Sequence, residues 1–313
     1  MDRRLTLLCG LLALSCVAFM LMGAVGSWEF LLQFRLRRLA ALLLVGICLS
    51  TATVLFQTIA GNRILTPSLI GFDALYVLIL TAMVQVLGLA GFAAIPAPVI
   101  FAINLAAMTA LGMLLFGVLM FGARGDMIKL VLTGIVAGIL IRSLTEFLQR
   151  MIDPSEFQMI QAASFARFTH VDTGLLVLTA AASLPALVLT WRTRFRLDVL
   201  ALGSELATGL GENPQRGRRR VLALICVLVA SATALAGPSG LFGLIVTALA
   251  YLVAPGTRHA VTLPTAALVG CIVLVAGQTV MERVLDLSTP LPVVVELLGG
   301  LVFLFLVLKR HIR

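Results

Sequence analysis

The sequence has few charged residues and none of the common motifs of enzyme active sites. Only 12% of its 313 residues are charged, and it holds three His, two Trp and two Tyr. It contains no G-x-x-x-x-G-K-[ST] loop for nucleotide phosphates, no H-E-x-x-H zinc motif and no G-x-S-x-G nucleophile elbow. The five cysteines lack C-x-x-C spacing, so we expect them to pack rather than to bind metal. These absences argue against an enzyme and predict neither a cofactor nor a metal site.

Hydrophobic residues make up 61% of the chain, which is more than a soluble domain can bury. They form runs long enough to cross about 30 Å of hydrocarbon as helices, in which each backbone N–H and C=O pairs within its own segment. We therefore predict an all-α integral membrane protein, with a single transmembrane domain over 1–313. About ten spans are predicted, the first retained although it begins like a secretory signal, at 5–25, 39–60, 70–90, 97–121, 128–148, 173–191, 219–237, 239–254, 260–281 and 291–308.

Basic residues are unevenly divided between the two sides of this arrangement. With the N-terminus inside, most of the 23 Lys and Arg fall in cytoplasmic segments, which is the positive-inside pattern. Anionic headgroups of the inner leaflet are then a sufficient partner for the net charge of +9, and no nucleic acid is required. Arg35, Arg37, Arg38 and Arg283 are exceptions on the outer side. They are either headgroup anchors or a positive rim for an acidic partner outside.

The longest inner loop, 192–218, contains two short helix patterns joined at a glycine. Asp198 is predicted to cap the first helix, which stops at Gly203, and Ser204 to cap the second, which stops at Gly211. An apolar stripe runs along the loop, formed by Leu200, Leu202, Leu206 and Leu210. Such a hairpin either lies on lipid headgroups or fills a groove on a cytoplasmic subunit, and the residues leave both possibilities open.

Few ionisable residues fall within the predicted spans, namely Asp73, Arg142, Glu146 and Glu296. Asp73 is placed near the inner end of the third span. Arg142 and Glu146 are four residues apart on one helix and can pair with each other. Glu296 is either a carboxylate reached by water or a contact for substrate or ion. The alternative function, an ion-coupled secondary transporter acting without an ATPase, depends on Glu296.

Two stretches, 50–76 and 229–251, share one pattern: a helix of small residues, a Gly/Pro break, and a second helix with glycines. The first break is predicted at the inner face and the second at the outer face. Inverted-topology repeats place such broken helices in matching positions, where the backbone lines a cavity. We therefore predict an inverted internal repeat, with Asn62 and Pro67 turning the chain. The residues expected at the pathway or its gate are Gln57, Asn62, Pro67, Gly71, Gly237, Pro238, Gly240 and Glu296.

Five motifs in order resemble the FecCD-type permease subunits of ATP-binding-cassette (ABC) importers for iron–siderophores and cobalamin. They are "FRLRRLAALLLVG" (34–46), "QTIAGNRILTPSLIG" (57–71), "LALGSELATGLGEN" (200–213), "AGPSGLFGLIV" (236–246) and "LSTPLPVVVELLGGLVFLFLVLKR" (287–310). The chain departs from the family at Arg37 and Arg63, where proline is usual, and at Thr247-Ala248, where Pro-His is usual. The variant at 56–76 is most similar to permeases for iron(III) catecholate-type siderophores.

This resemblance implies the type II ABC importer permease architecture, located in the bacterial inner (cytoplasmic) membrane as a multi-pass protein. It implies import of a ferric siderophore with ABC ATPase subunits, a periplasmic or lipid-anchored solute-binding protein, and a second permease that is a related chain or an identical copy. By resemblance, Arg35, Arg38 and Arg283 dock the binding protein. The implied ATPase-coupling residues are Asp198, Leu200, Leu202, Gly203, Ser204, Glu205, Leu206 and Gly211.

Overall fold

The computed structural model describes residues 3–23, 28–123, 127–164, 172–256 and 258–283. The helices are α1 (Arg3–Leu21), α2 (Trp28–Ala60), α3 (Phe72–Ala94), α4 (Ala97–Ala123), α5 (Met127–Gln149), α6 (Pro154–Ser164), α7 (Thr173–Arg192), α8 (Arg194–Leu200), α9 (Ser204–Gly209), α10 (Pro214–Ala236), α11 (Phe242–Val253) and α12 (His259–Arg283). No strand occurs in these described ranges, and the predicted all-α fold class is confirmed.

Eight of these helices are long and apolar enough to cross a membrane. Each of the first nine predicted spans falls on a helix, but α11, with 12 residues, is too short to cross by itself. The tenth predicted span, 291–308, lies outside the described residues together with Glu296. The helix α6 is an addition to the predicted elements, and α8 and α9 form the predicted hairpin.

Helix α2 is the central element of the bundle. Its 33 residues give it a length of about 50 Å, and it packs against α12, α10, α11 and α7. Where α2 crosses α12 the two backbones nearly touch, because a Cβ added at Gly46 would lie 3.1 Å from the backbone nitrogen of Cys271. Small residues allow this approach between membrane helices, where lipid provides little hydrophobic drive for association.

Two long helices begin where the sequence offers a side-chain cap. Asp172 accepts a hydrogen bond from the backbone N–H of Leu175 at 3.1 Å at the start of α7. At the start of α10, Asn213 accepts from the N–H of Arg216 at 3.0 Å, and Pro214 occupies the first helical position. Both arrangements satisfy backbone donors that have no partner within the helix.

Helix α3 is kinked at Gly88, whose φ of 67° lies in the left-handed region that favours glycine. The kink frees the N–H of Leu89 from the helix, and the carboxylate of Glu156 on α6 accepts it at 2.9 Å. A carboxylate at the start of a helical segment also complements the helix dipole. The added helix α6 therefore holds the bent end of α3.

Candidate functional site

The first break follows α2 and turns the chain back towards the bundle. The side chain of Asn62 accepts a hydrogen bond from the N–H of Ile64 at 2.9 Å, a local turn typical of asparagine. The carbonyl of Pro67 accepts from the N–H of Phe72 at 3.2 Å. Gly71 has a φ of 108° and immediately precedes α3, with no side-chain cap. The predicted turn at Asn62 and Pro67 is therefore present.

The break at Gly71 fits against two glycines of α5. A Cβ added at Gly71 would lie 2.8 Å from the Cα of Gly138. A Cβ added at Gly134 would lie 2.8 Å from Cγ2 of Ile70. The spacing of Gly134 and Gly138 is the small-xxx-small pattern of close helix packing, and this signal in the sequence could have identified the contact.

The two breaks meet at Asp73, in the first turn of α3. One carboxylate oxygen of Asp73 accepts from the hydroxyl of Ser68 at 3.2 Å. The other oxygen accepts from the backbone N–H of Gly240, in the second break, at 2.8 Å. In this second break, Gly237 ends α10 with a φ of 80° and Pro238 follows it. Asp73 thus joins the matching segments of the two halves.

The predicted placement of the breaks at opposite faces of the membrane is wrong. Helix α11 ends beside the first turn of α1, where Arg4 Nη1 donates to the carbonyl of Val253 at 2.9 Å. Twelve residues rise only about 18 Å, so the second break lies inside the membrane rather than at its outer face. Asp73 contacts this break from the first turn of α3, and so lies at the end of its span, as predicted.

Gln57 is a buried polar centre between α2, the first break and α11. Its amide Nε2 donates to the carbonyl of Arg63 at 2.6 Å and to Thr247 Oγ1 at 3.0 Å. Its Oε1 accepts from the hydroxyl of Tyr251 at 3.1 Å, and the guanidinium of Arg63 lies 4.5 Å from the centroid of that ring. Arg63 and Thr247, where the chain departs from the family motifs, therefore both contact this cluster. Neither departure interrupts α2 or α11.

A chain of three side chains, which we name the coupling relay, connects α8 to α2 through α12. Thr58 Oγ1 lies 2.7 Å from His259 Nε2, and His259 Nδ1 lies 2.6 Å from Asp198 Oδ1. The same oxygen accepts the backbone N–H of His259 at 2.7 Å. The prediction that Asp198 caps its own helix is wrong, because α8 already begins at Arg194. Asp198 caps the start of α12 instead. Sequence reasoning missed His259, which is distant along the chain.

The hairpin of α8 and α9 is joined at Gly203, with a φ of 95°, as predicted. Ser204 is the first residue of α9 and provides no cap; instead its hydroxyl accepts from Arg218 at 3.0 Å. Gly211 follows the hairpin with a φ of 84°, and Glu205 is exposed.

The four leucines of the predicted stripe differ in exposure. Leu200 is buried, whereas Leu202, Leu206 and Leu210 are 53%, 61% and 63% exposed. The hairpin thus presents an apolar surface.

Arg35 and Arg38 lie on the buried side of α2 and do not form an exposed rim. Arg35 is 2% exposed and donates to the carbonyls of Phe19, Met20, Met22 and Gly23 at 2.6–3.3 Å. These carbonyls belong to the last turn of α1 and to the two residues that follow it, where helical partners are lacking. Arg38 pairs with Glu282 of α12, a residue that sequence reasoning missed. Arg37 and Arg283 remain exposed.

Comparisons with known proteins find matches that cover almost the whole chain. Residues 6–309 match the FecCD transport family. The chain is 36% identical to the petrobactin import system permease protein YclO of Bacillus subtilis, over 99% of this chain and 98% of that protein. It is 30% identical to the petrobactin import system permease protein FatC of Bacillus anthracis, over 88% and 78% of the two chains.

A solved structure of a metal-chelate type ABC transporter, in an inward-facing conformation, has the same fold. Its TM-score is 0.80 at 24% identity, and the match covers 98% of this chain and 99% of that one. The family match spans almost the whole length of the chain. The chain belongs to the FecCD transport family.

Proposed function

We propose that the chain is the transmembrane permease subunit of an ABC importer that carries a ferric siderophore across the bacterial cytoplasmic membrane. The observation that carries this proposal is the 36% identity, over 99% of the chain, to a petrobactin import system permease. A separate ATPase supplies the energy, and a solute-binding protein delivers the substrate. A second permease, identical or related, completes the path.

The described contacts suit a permease that is driven from the cytoplasmic side. The exposed leucines of the hairpin offer a surface to an ATPase, and Leu200 fixes the hairpin to the bundle. Displacement of α8 reaches α12 and α2 through the coupling relay. Thr58 is next to Gln57, whose side chain binds the first break. A displacement of α8 would therefore be transmitted to the place where the two halves of the repeat meet.

An ion-coupled carrier is less well supported by the same contacts. Such a carrier needs an intramembrane carboxylate that exchanges protons or ions during transport. Asp73 is instead bound to Ser68 and Gly240. Uptake by Glu296→Gln in vesicles without ATPase tests this alternative, because a carrier would show gradient-driven uptake that the substitution abolishes.

The hairpin surface provides the first test of the proposal. We expect Leu206→Asp with Leu210→Asp to prevent co-purification of the ATPase. Both leucines are exposed in this chain and would be buried against the ATPase, where a carboxylate is unfavourable. Thr208→Asp, an exposed position between them on α9, is the matched control and should retain the ATPase. Equal recovery of ATPase with all variants would show that the hairpin contacts lipid instead.

The outer arginines separate into two groups with different expected results. Arg283→Glu, with Arg37→Glu, should weaken binding of the solute-binding protein by on the order of tenfold, because exposed charges steer association. Arg35→Gln should lower the melting temperature and leave that affinity unchanged, because its guanidinium is occupied by the end of α1. Affinity is measured on complexes in nanodiscs, with Arg192→Glu on the opposite side as control. Loss of affinity in Arg35→Gln alone would contradict this division.

A further inference from the structure

A cavity of about 540 Å³ opens at the end of the bundle where α1 begins. It lies between the start of α1 and the turn that joins α11 to α12. Three arginines, Arg3, Arg4 and Arg258, come together around it, and apolar atoms of Leu5, Pro255 and Val261 form part of its wall. Residues about 250 positions apart in the chain thus build one basic pocket.

Within the part of the chain that the structure describes, no carboxylate balances the positive charge of this pocket. No Asp or Glu is among the described residues that line it, and none of the three arginines forms an ion pair within 4.0 Å with another described residue. Arg4 uses Nη1 to cap the last turn of α11 at Val253. Arg3 and Arg258 are exposed. Like charges held close together repel each other, so an anion in the pocket would stabilise this arrangement.

The position of the pocket indicates which anion it takes. Helix α1 lies at the edge of the bundle and packs on α12 and α2. Its other face exposes Leu7 and Leu14, at 68% and 65%, and in a membrane that face meets acyl chains. The pocket begins one turn below Leu7, at the side that basic residues mark as cytoplasmic. It therefore combines a basic headgroup site with an adjoining apolar surface.

We propose that this pocket binds the phosphate headgroup of an anionic phospholipid from the inner leaflet, with an acyl chain along α1. Arg3 and Arg258 supply charge-assisted hydrogen bonds to the phosphate oxygens, and Arg4 holds the two walls together. The site is separate from the translocation path. Because Arg258 directly precedes His259, the bound lipid would adjoin the coupling relay and restrain the start of α12.

The test is native mass spectrometry of the purified full chain after delipidation, with phosphatidylglycerol or phosphatidylcholine added in defined amounts. We expect phosphatidylglycerol to bind and to raise the melting temperature, and phosphatidylcholine to do neither. Arg3→Gln with Arg258→Gln should weaken phosphatidylglycerol binding by about thirtyfold, or about fivefold for each arginine. Arg192→Gln with Arg216→Gln removes the same charge from the same side, outside the pocket, and should weaken it much less. Melting without lipid verifies that both variants are folded.

Three results would overturn the proposal. Equal weakening by the two double variants would mean that general surface charge, and not this pocket, attracts the lipid. Unchanged binding in Arg3→Gln with Arg258→Gln would place the lipid elsewhere. Inorganic phosphate at millimolar concentration is the third arm: if it raises the melting temperature as phosphatidylglycerol does, and both effects require Arg3 and Arg258, the pocket is a site for free phosphate.

Discussion

His259→Ala is expected to lower uptake by tenfold or more while the assembled complex continues to hydrolyse ATP. The substitution removes both side-chain links of the coupling relay, at 2.6 Å to Asp198 and 2.7 Å to Thr58. A hydrogen bond to a charged partner contributes about 1.5–3 kcal/mol, so loss of the link to Asp198 should lower coupling by tenfold or more. The measurement is the number of ATP molecules hydrolysed per siderophore transported in proteoliposomes.

Two variants separate the links of the relay. Thr58→Val removes the contact between His259 and α2, together with the bond from the Thr58 hydroxyl to the carbonyl of Val54 one turn earlier. It should raise the ATP cost of transport with little loss of stability. His259→Asn keeps a nitrogen near the position of Nδ1 and should restore part of the contact with Asp198. Thr190→Val is the matched control, because Thr190 is buried and its hydroxyl donates to the carbonyl of Ala186 one turn earlier. If hydrolysis and uptake fall in equal proportion, the relay is merely structural.

Asp73→Ala is expected to separate the two breaks and to lower the free energy of unfolding by about 2 kcal/mol or more. The N–H of Gly240 would lose its acceptor at a depth where water is scarce, and the hydroxyl of Ser68 would lose its partner as well. Asp73→Asn keeps one acceptor oxygen and should show a smaller loss. Thermal unfolding in detergent gives the energies, and faster hydrogen exchange at the Gly240 amide reports the separation locally.

Glu146→Ala is the control for Asp73, because Glu146 is an exposed carboxylate of α5. It should unfold as the unsubstituted chain does. Identical melting of Asp73→Ala and the unsubstituted chain would contradict the joining role. Uptake by Asp73→Asn also bears on the mechanism: complete loss of uptake with normal stability and normal Gly240 exchange would instead favour proton exchange at Asp73.

The sequence was sufficient for the elements whose signal is local. Apolar length predicts the spans, and the glycine at Gly203 predicts the joint of the hairpin. The charged pattern of 192–218 also located the cytoplasmic segment that resembles the ATPase-coupling region. Each of these features is determined by residues close together in the sequence, through the length of an apolar helix or the backbone freedom of glycine.

The remaining features depend on contacts between distant residues. Arg38 and Glu282 are 244 positions apart, and no local pattern pairs them. Arg35 is buried because it donates hydrogen bonds to carbonyls at the end of α1 that have no helical partner. This arrangement exists only after the helices pack. The position of α11 in the bundle depends on two contacts at its ends, between Arg4 and Val253 and between Asp73 and Gly240. Asp198 caps a helix that begins 61 positions later.

The backbone contact at Gly46 restricts how the bundle can work. At this contact no side chain lies between the two backbones that could change rotamer and allow the helices to slide. We therefore expect α2 and α12 to move as one rigid unit. Any swing during a transport cycle must then be absorbed elsewhere, and the bend of α3 at Gly88, held by a single carboxylate from α6, is a natural place for it.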